Sequence, residues 1–303
     1  MLKNFNELLQ RVNRAEKKKV AVAMAQDKEI LQALEAARSA SIADPILIGS
    51  LKTLQVMADQ AEIDLSHFET LDIEDERECV RQAVQMVRDG QAQVLMKGLC
   101  STANFLKGIL DREKGLRASA VLSHLAIFES PSYEKLLFMS DAAMNIAPDI
   151  NEKIAITENA IKATHALGYE LPKVAMISAV EKINPTGMPS TVDAAIISKM
   201  AERQQIKGAV IDGPLAVDNA LSAKANEIKG LQSSIGGNAD ICIVPNIEAG
   251  NIFYKILTTL GNAQVAGVIL GAAVPVVLTS RADSENSKFL SIVSALSISQ
   301  QGG

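Results

Sequence analysis

A chain of 303 residues has room for one large hydrophobic core or two modest ones, at roughly 150 residues per domain. Its 30 Lys and Arg stand against 35 Asp and Glu, a net charge of −5. It therefore lacks the basic footprint that displaces counterions from nucleic acid, and no nucleic-acid partner is expected. Hydrophobic residues make up 48%, which excludes a largely disordered chain, while aromatics make up only 3% and Trp is absent. The core must be built from Ala, Val, Ile and Leu, the composition of buried parallel strands and the helices that cover them.

The N-terminal segment sets Leu2, Phe5, Leu8, Leu9 and Val12 at helical spacing with charges between them, unlike the unbroken apolar stretch of a signal peptide. Strand-length apolar runs then alternate with amphipathic stretches. Strands are predicted at Lys19–Ala25, Pro45–Gly49 and Gln93–Met96, with helical patterns at Asp27–Arg38, Leu51–Gln60 and Ile73–Asp89. The later half repeats the scheme, with strands at Lys135–Met139, Lys173–Ile177, Gly208–Ile211, Ile241–Val244, Val265–Leu270 and Val274–Leu278. Helices are expected at Asn151–Leu167, Val192–Arg203, Asn251–Leu260 and from about Asp283. This alternation predicts a mostly parallel α/β architecture. The run Val265–Leu278 is uncharged, but its 14 residues fall short of the roughly 20 that a spanning helix needs, so it reads as two buried strands and no membrane partner is expected. Three scattered cysteines, Cys79, Cys100 and Cys242, suggest neither a disulfide framework nor zinc, and a reducing cytoplasmic compartment fits best.

Ligands of open α/β sheets sit at the carboxyl ends of strands. The turn Lys97-Gly98-Leu99-Cys100-Ser101-Thr102, with Lys107 on the following helix, suits an anion, or is an ordinary turn with Ser101 as helix cap. Asp141 and Asn145, in Ser140-Asp141-Ala142-Ala143-Met144-Asn145, offer polar groups or an Asx turn. Asp212-Gly213-Pro214 reads as a tight turn after a strand. In Pro245-Asn246-Ile247-Glu248-Ala249-Gly250-Asn251 a helix opens, and Gly250 would allow a ligand close to the backbone. Thr279-Ser280-Arg281-Ala282-Asp283 joins a hydroxyl, a guanidinium and a helix start, a combination suited to phosphate or a developing oxyanion. His67, His124 and His165 read as structural or solvated; Cys100 reads as reactive or as a buried inert thiol. GxGxxG and GxxxxGK[ST] are both absent, which disfavours the usual dinucleotide and P-loop sites, and no metal-ligand spacing is present.

Taken together, SDAAMNIAP, PKVAMISAV, IDGPLAVDNAL, GGNADICIVPNIEAGNIFYK and PVVLTSRADS, in that order, resemble the phosphate acetyl/butyryl transferase family, from about Lys19 to the end, and most of all its butyryl branch. The resemblance implies two α/β domains around a cleft, like isocitrate and isopropylmalate dehydrogenases, with residues 1–135 and 271–303 in the first and 136–270 in the second. It implies cytoplasmic homodimers or larger homo-oligomers. The reaction implied is transfer of a short acyl group, butyryl preferred, between coenzyme A and inorganic phosphate, with coenzyme A as substrate and no cofactor.

Both anions must be held close, an oxyanion stabilised and a thiol proton handled. On this resemblance Arg281 and Lys182 are expected to meet phosphate charge, and Ser280 to hydrogen-bond phosphate or oxyanion. Asn145 and Asn246 are polar supports, Asp283 or Asp141 is the base, and Lys97, Ser101, Thr102, Lys107, Glu248 and Asn251 complete the substrate-binding set. The chain departs from the acetyl branch in three places. Lys107 answers to an arginine there. Ala179-Val180-Glu181-Lys182 replaces a Ser/Thr/Gly-rich loop. Ser287 replaces the aspartate taken as thiol base, leaving Asp283 and then Glu285 as nearest carboxylates. The alternatives are phosphate acetyltransferase, a non-catalytic acyl-CoA-sensing module, and a metal- and NAD-dependent decarboxylating dehydrogenase.

Overall fold

The computed structural model describes residues 1–13, 17–278 and 283–299. In chain order the helices and strands are α1 (Phe5–Asn13), β1 (Lys18–Ala23), α2 (Lys28–Ser39), β2 (Ala43–Gly49), α3 (Leu51–Ala61), β3 (Glu69–Asp72), α4 (Glu76–Arg88), β4 (Val94–Lys97) and α5 (Thr102–Ile109). There follow β5 (Ser123–Glu129), β6 (Leu137–Ser140), α6 (Ile150–Ala166), β7 (Lys173–Ile177), α7 (Pro189–Glu202), β8 (Val210–Leu215), α8 (Val217–Leu221) and α9 (Ala223–Lys229). The chain closes with β9 (Ile241–Ile243), α10 (Ile247–Thr259), β10 (Gln264–Leu270), β11 (Val276–Val277) and α11 (Glu285–Ile298).

Two compact units divide the chain. The first comprises Phe5–Ser119 and Ala266–Gly303, the second Met1–Asn4 and Ala120–Val265. These boundaries differ from 1–135 plus 271–303 and 136–270. The segment from Ala120 to Lys135 joins the second unit because β5, unmarked in the sequence reading, pairs antiparallel with β6, Ala126 opposite Met139. Met1–Asn4 goes there too, the Leu2 amide donating to the Tyr169 hydroxyl.

In the first unit the strands lie in the order β3-β2-β1-β4-β11-β10, parallel except where β11 turns back on β10. Val20, Val22, Leu47, Leu95 and Val276 fill the sheet, and α2, α4 and α11 cover it through Leu31 and Leu34, Val80 and Val84, Ile292 and Val293. In the second unit the order is β5-β6-β9-β7-β8, with β6, β9, β7 and β8 parallel. Ala126, Phe128, Met139, Ala175, Cys242 and Val244 make its core.

Helix starts follow capping chemistry. Asp27, Asp75, Ser101, Asn246 and Ser284 each accept a backbone N–H of the first turn, and Asp149 with Glu152 forms a full capping box. Because Asn246 is such a cap, α10 begins at Ile247 rather than Asn251. The tight turn expected at Asp212-Gly213-Pro214 is instead the body of β8, with a register shift between Ala175 and Ile177 on β7. Pro214 is tolerated because β8 is an edge strand, which does not need every N–H in a ladder.

Candidate functional site

The order β2-β1-β4 makes the gap between β1 and β4 a topological switch point: successive strands leave β1 on one side and β4 lies on the other. A cavity of about 420 Å³ opens there, lined by Gln26, Lys28 and Glu29 from the start of α2, by Lys97, Gly98 and Leu99 from the end of β4, and by Lys288 from α11. Gly98 is required by contact: a Cβ there would lie 2.0 Å from the Met24 carbonyl oxygen. Lys288 is buried, and its Nζ donates to Glu29 Oε2 and to the Asp283 carbonyl, both at 2.6 Å. Lys97 Nζ donates only to the neighbouring Gly98 carbonyl at 3.1 Å, and Lys28 has no ion pair among the described residues. Lys28 and Lys97 stand beside the N-terminus of α2, a place that favours an anion, while Asp27 and Glu29 line the same cavity and Lys288 is paired with Glu29. Gln26, buried, keeps Oε1 without a donor among the described residues. An orphaned buried acceptor costs about 1–3 kcal/mol, and this one lies against Gly49, where a Cβ would come within 2.0 Å of it.

The neighbouring turn is less open than its composition suggests. Ser101 caps α5, and its amide and hydroxyl both donate to Glu76 Oε1, at 2.9 and 2.8 Å; Asn104 Nδ2 adds a third bond at 2.8 Å. Those donors hold the Glu76 carboxyl below the usual carboxylate range, Asn104 foremost. Ser101 is thus committed to its own scaffold, whereas Thr102 and Lys107 are exposed on α5. Asp283 is half-buried beside the cavity. Ser280 and Arg281 lie outside the described residues.

Cys100, which could have been reactive, is buried with its thiol toward the Ala23 carbonyl at 3.8 Å, and burial pushes it up to about 11. Burial likewise pushes Cys79 up to about 11 and Cys242 to about 12. Since the thiolate is the nucleophile, all three are expected to resist Ellman's reagent at pH 8 until the chain is denatured. Rapid labelling of the native protein would contradict this.

In the second unit, the expected residues gather at the carboxyl edge of β6, β9 and β7. Asp141 is buried and fully engaged: Oδ1 accepts the amides of Ala143 and Met144 at 2.8 and 2.9 Å, and Oδ2 accepts Asn145 Nδ2 at 2.6 Å. The same Asn145 Nδ2 donates to the Leu122 carbonyl at 2.9 Å. Asn246 spends Oδ1 on the Ala249 amide. Asn251 reaches the Ala142 carbonyl at 3.5 Å, and Glu248 is exposed. Gly250 does admit a close backbone approach, but of protein, not ligand: a Cβ would sit 2.8 Å from the Asp141 carbonyl. Lys182 is exposed on the loop after β7. Beside it Glu181 pairs at 2.8 Å with Lys229, which also meets Asp218 at 3.0 Å and Asn219 Oδ1 at 2.7 Å.

Gln26, Lys28, Lys288 and Lys229 are absent from the expected set. Lys288 had a readable signal, a lone cation on the apolar face of a helix reading Phe289, Leu290, Ile292, Val293.

Two α/β units, one with a switch-point cavity lined by lysines and carboxylates and one with an Asx-braced polar edge, define an α/β protein whose polar groups cluster at strand ends. Its sequence matches the family described as Phosphate acetyl/butaryl transferase over residues 4–81 and 76–296. It is 47% identical to the phosphate butyryltransferase of Clostridium acetobutylicum, over 97% of this chain and 98% of that one. A branched-chain phosphotransacylase from Enterococcus faecalis V583 superposes with a TM-score of 0.84 at 37% identity, covering 93% and 99% of the two chains. A 4-hydroxythreonine-4-phosphate dehydrogenase from Burkholderia phymatum shares the fold, with a TM-score of 0.59 at 12% identity over 94% and 99%. The chain belongs to the phosphate acetyl/butyryl transferase family, whose fold is dehydrogenase-like, as expected. Among the described residues no helix is long and apolar enough to cross a membrane.

Proposed function

We propose that this chain transfers a short acyl group between coenzyme A and inorganic phosphate, favouring butyryl over acetyl. The observation that carries this reading is the full-length likeness to a phosphate butyryltransferase. A phosphate oxygen attacks the thioester carbonyl, the tetrahedral intermediate collapses, the carbon–sulfur bond breaks, and acyl phosphate and coenzyme A leave. Coenzyme A is a substrate, and no cofactor or metal takes part. Lys28 and Lys97 suit the phosphates of coenzyme A. Arg281 and Ser280 stabilise the developing oxyanion or phosphate, Lys182 adds positive charge for phosphate, and Asp283 handles the thiol proton. Asp141 holds its turn and is replaced as base, since three donors already occupy its carboxylate.

Phosphate-dependent release of coenzyme A from acetyl-, butyryl-, isobutyryl- and hexanoyl-CoA tests this. Butyryl-CoA is expected to give the highest kcat/KM; a maximum at acetyl-CoA would withdraw the butyryl preference. Binding without any release would replace transfer by sensing.

The enzyme works in the cytoplasm, where the three buried cysteines stay unpaired, and as a homo-oligomer. Ile252 and Ile256 of α10 and Leu260 at its C-cap form an exposed stripe four residues apart. A second copy suits it because Glu248 and Lys255 flank the stripe two turns apart. An antiparallel two-fold pair then sets each carboxylate near the other copy's ammonium. Ile256→Asp is expected to convert the oligomer to monomer in sedimentation velocity; an unchanged mass would remove α10 from the interface.

A further inference from the structure

The loops that leave β6 and β7 carry apolar side chains that the fold holds out in water. Ile146 is 74% exposed, Ile183 58% and Val180 37%. β6, β9 and β7 are parallel neighbours in that order, so both loops crown one edge of the sheet. The Ile146 carbonyl accepts the amide of Ile247 at 3.0 Å, the first residue of the helix that follows β9. That bond draws the β6 loop over the end of β9, one strand spacing of about 4.8 Å from β7.

The β7 loop is fixed on three sides. Ser178 Oγ and Ser190 Oγ share a hydrogen bond at 2.9 Å, the Asn184 amide donates to Thr191 Oγ1 at 2.8 Å, and Glu181 accepts from Lys229 at 2.8 Å. Val180 and Ile183 are therefore displayed by a pinned loop. Single exposed apolar residues are ordinary on a protein surface, but apolar groups held out by neighbouring loops at one strand-end edge, beside polar ones, are the kind that line small-molecule sites. The exposed Lys182 stands on the β7 loop, and Asn145, its Nδ2 held by Leu122 and Asp141, braces the β6 loop.

We infer that Ile146, Val180 and Ile183 form the lip that contacts the aliphatic acyl chain of the thioester, and so set chain-length preference. The inference rests on the acyl-transfer reading above. Acetyl offers the lip one methyl group; butyryl adds two methylenes, each able to cover apolar surface otherwise left in water. Full burial of a methylene is worth roughly fourfold in binding, so an open lip contributing part of that for two methylenes gives about three- to tenfold.

The test measures kcat/KM for acetyl-CoA and butyryl-CoA in the parent chain and in Ile146→Ala, Val180→Ala and Ile183→Ala. Leu171→Ala serves as control; Leu171 is also exposed, but stands before β7 at the opposite edge of the sheet. The butyryl-to-acetyl ratio is expected to fall about three- to tenfold in at least one lip variant and to stay unchanged in the control. A ratio constant within about twofold, or an equal fall for both substrates, overturns the inference while leaving the transferase reading intact. A parent chain that releases no coenzyme A from either substrate overturns the reading beneath it.

Discussion

Arg281→Ala is expected to lower kcat by roughly 10²–10³, about 3–4 kcal/mol, by analogy with removal of an oxyanion donor. In sequence Ser280-Arg281 follows the last buried strand, and Lys288, which lines the cavity between β1 and β4, holds the carbonyl of Asp283 two residues further on. A guanidinium that pairs with phosphate or the oxyanion gains most as charge develops, so the loss falls on kcat rather than on KM alone. Arg281→Lys is expected to restore activity only in part, because an ammonium keeps the charge and loses the planar two-point fork. An arginine that merely caps or packs α11 predicts the reverse pattern, lost stability with near-normal turnover in the folded fraction. Thermal unfolding and kinetics on the same samples separate the two. A variant that melts like the parent and turns over within about threefold of it would remove Arg281 from the chemistry.

What was legible in the sequence followed from local rules. The cap at Ser101 and the apolar runs of β1, β2, β7 and β9 are written in a few adjacent residues, and the helices and strands that were expected fell close to their places. β3, with its half-exposed Glu-Thr-Leu-Asp, carries no apolar run to read, whereas β5 does carry one, at residues 125–128 behind a buried Ser123 and His124, though it is unmarked in the sequence reading. The Asp-Gly-Pro step looked like a turn because its composition is that of one; only its place at a sheet edge makes it a strand.

The candidate site divides in the same way. Lys97 and Gly98 are visible as a strand end, but Gln26 and Lys288 reach the same cavity from sequence positions more than 250 residues apart, which no spacing rule reports. Several polar residues, Ser101, Asp141, Asn145 and Asn246, spend that polarity inside the scaffold, on helix caps, nearby backbone groups and, for Ser101, Glu76. Asx turns and helix caps draw on the same residue types as ligand sites, so composition alone cannot separate them.

The largest expected loss of stability lies at the opposite edge of the second unit, where β6, β9 and β7 begin. Lys135 Nζ donates to Asp240 Oδ1 at 2.6 Å and to the Asn238 carbonyl at 3.0 Å, with the two side chains only 5% and 4% exposed. Asp240 Oδ2 accepts the Lys173 amide at 2.8 Å, while its backbone joins Phe138 and Lys173. One buried pair thus ties the starts of three strands. Burial pulls the Lys135 ammonium below its ordinary range, and its hydrogen bond to Asp240 pulls back. Lys135→Met removes the cation and strands a carboxylate in the interior, which costs about 3–5 kcal/mol when one partner of a buried pair is lost. The melting temperature is expected to drop by roughly 10 °C, at about 2–4 °C per kcal/mol for a unit of this size. Lys135→Met with Asp240→Asn removes the unpaired charge and keeps an acceptor for the Lys173 amide, so it is expected to recover more than half of the loss. Turnover per folded molecule should stay near the parent's in both, since the pair stands at the strand starts and the polar loops at their ends. A Lys135→Met protein that unfolds within about 1 kcal/mol of the parent would mean that water or a shifted side chain already serves Asp240, and that the three strands are held by their apolar faces alone.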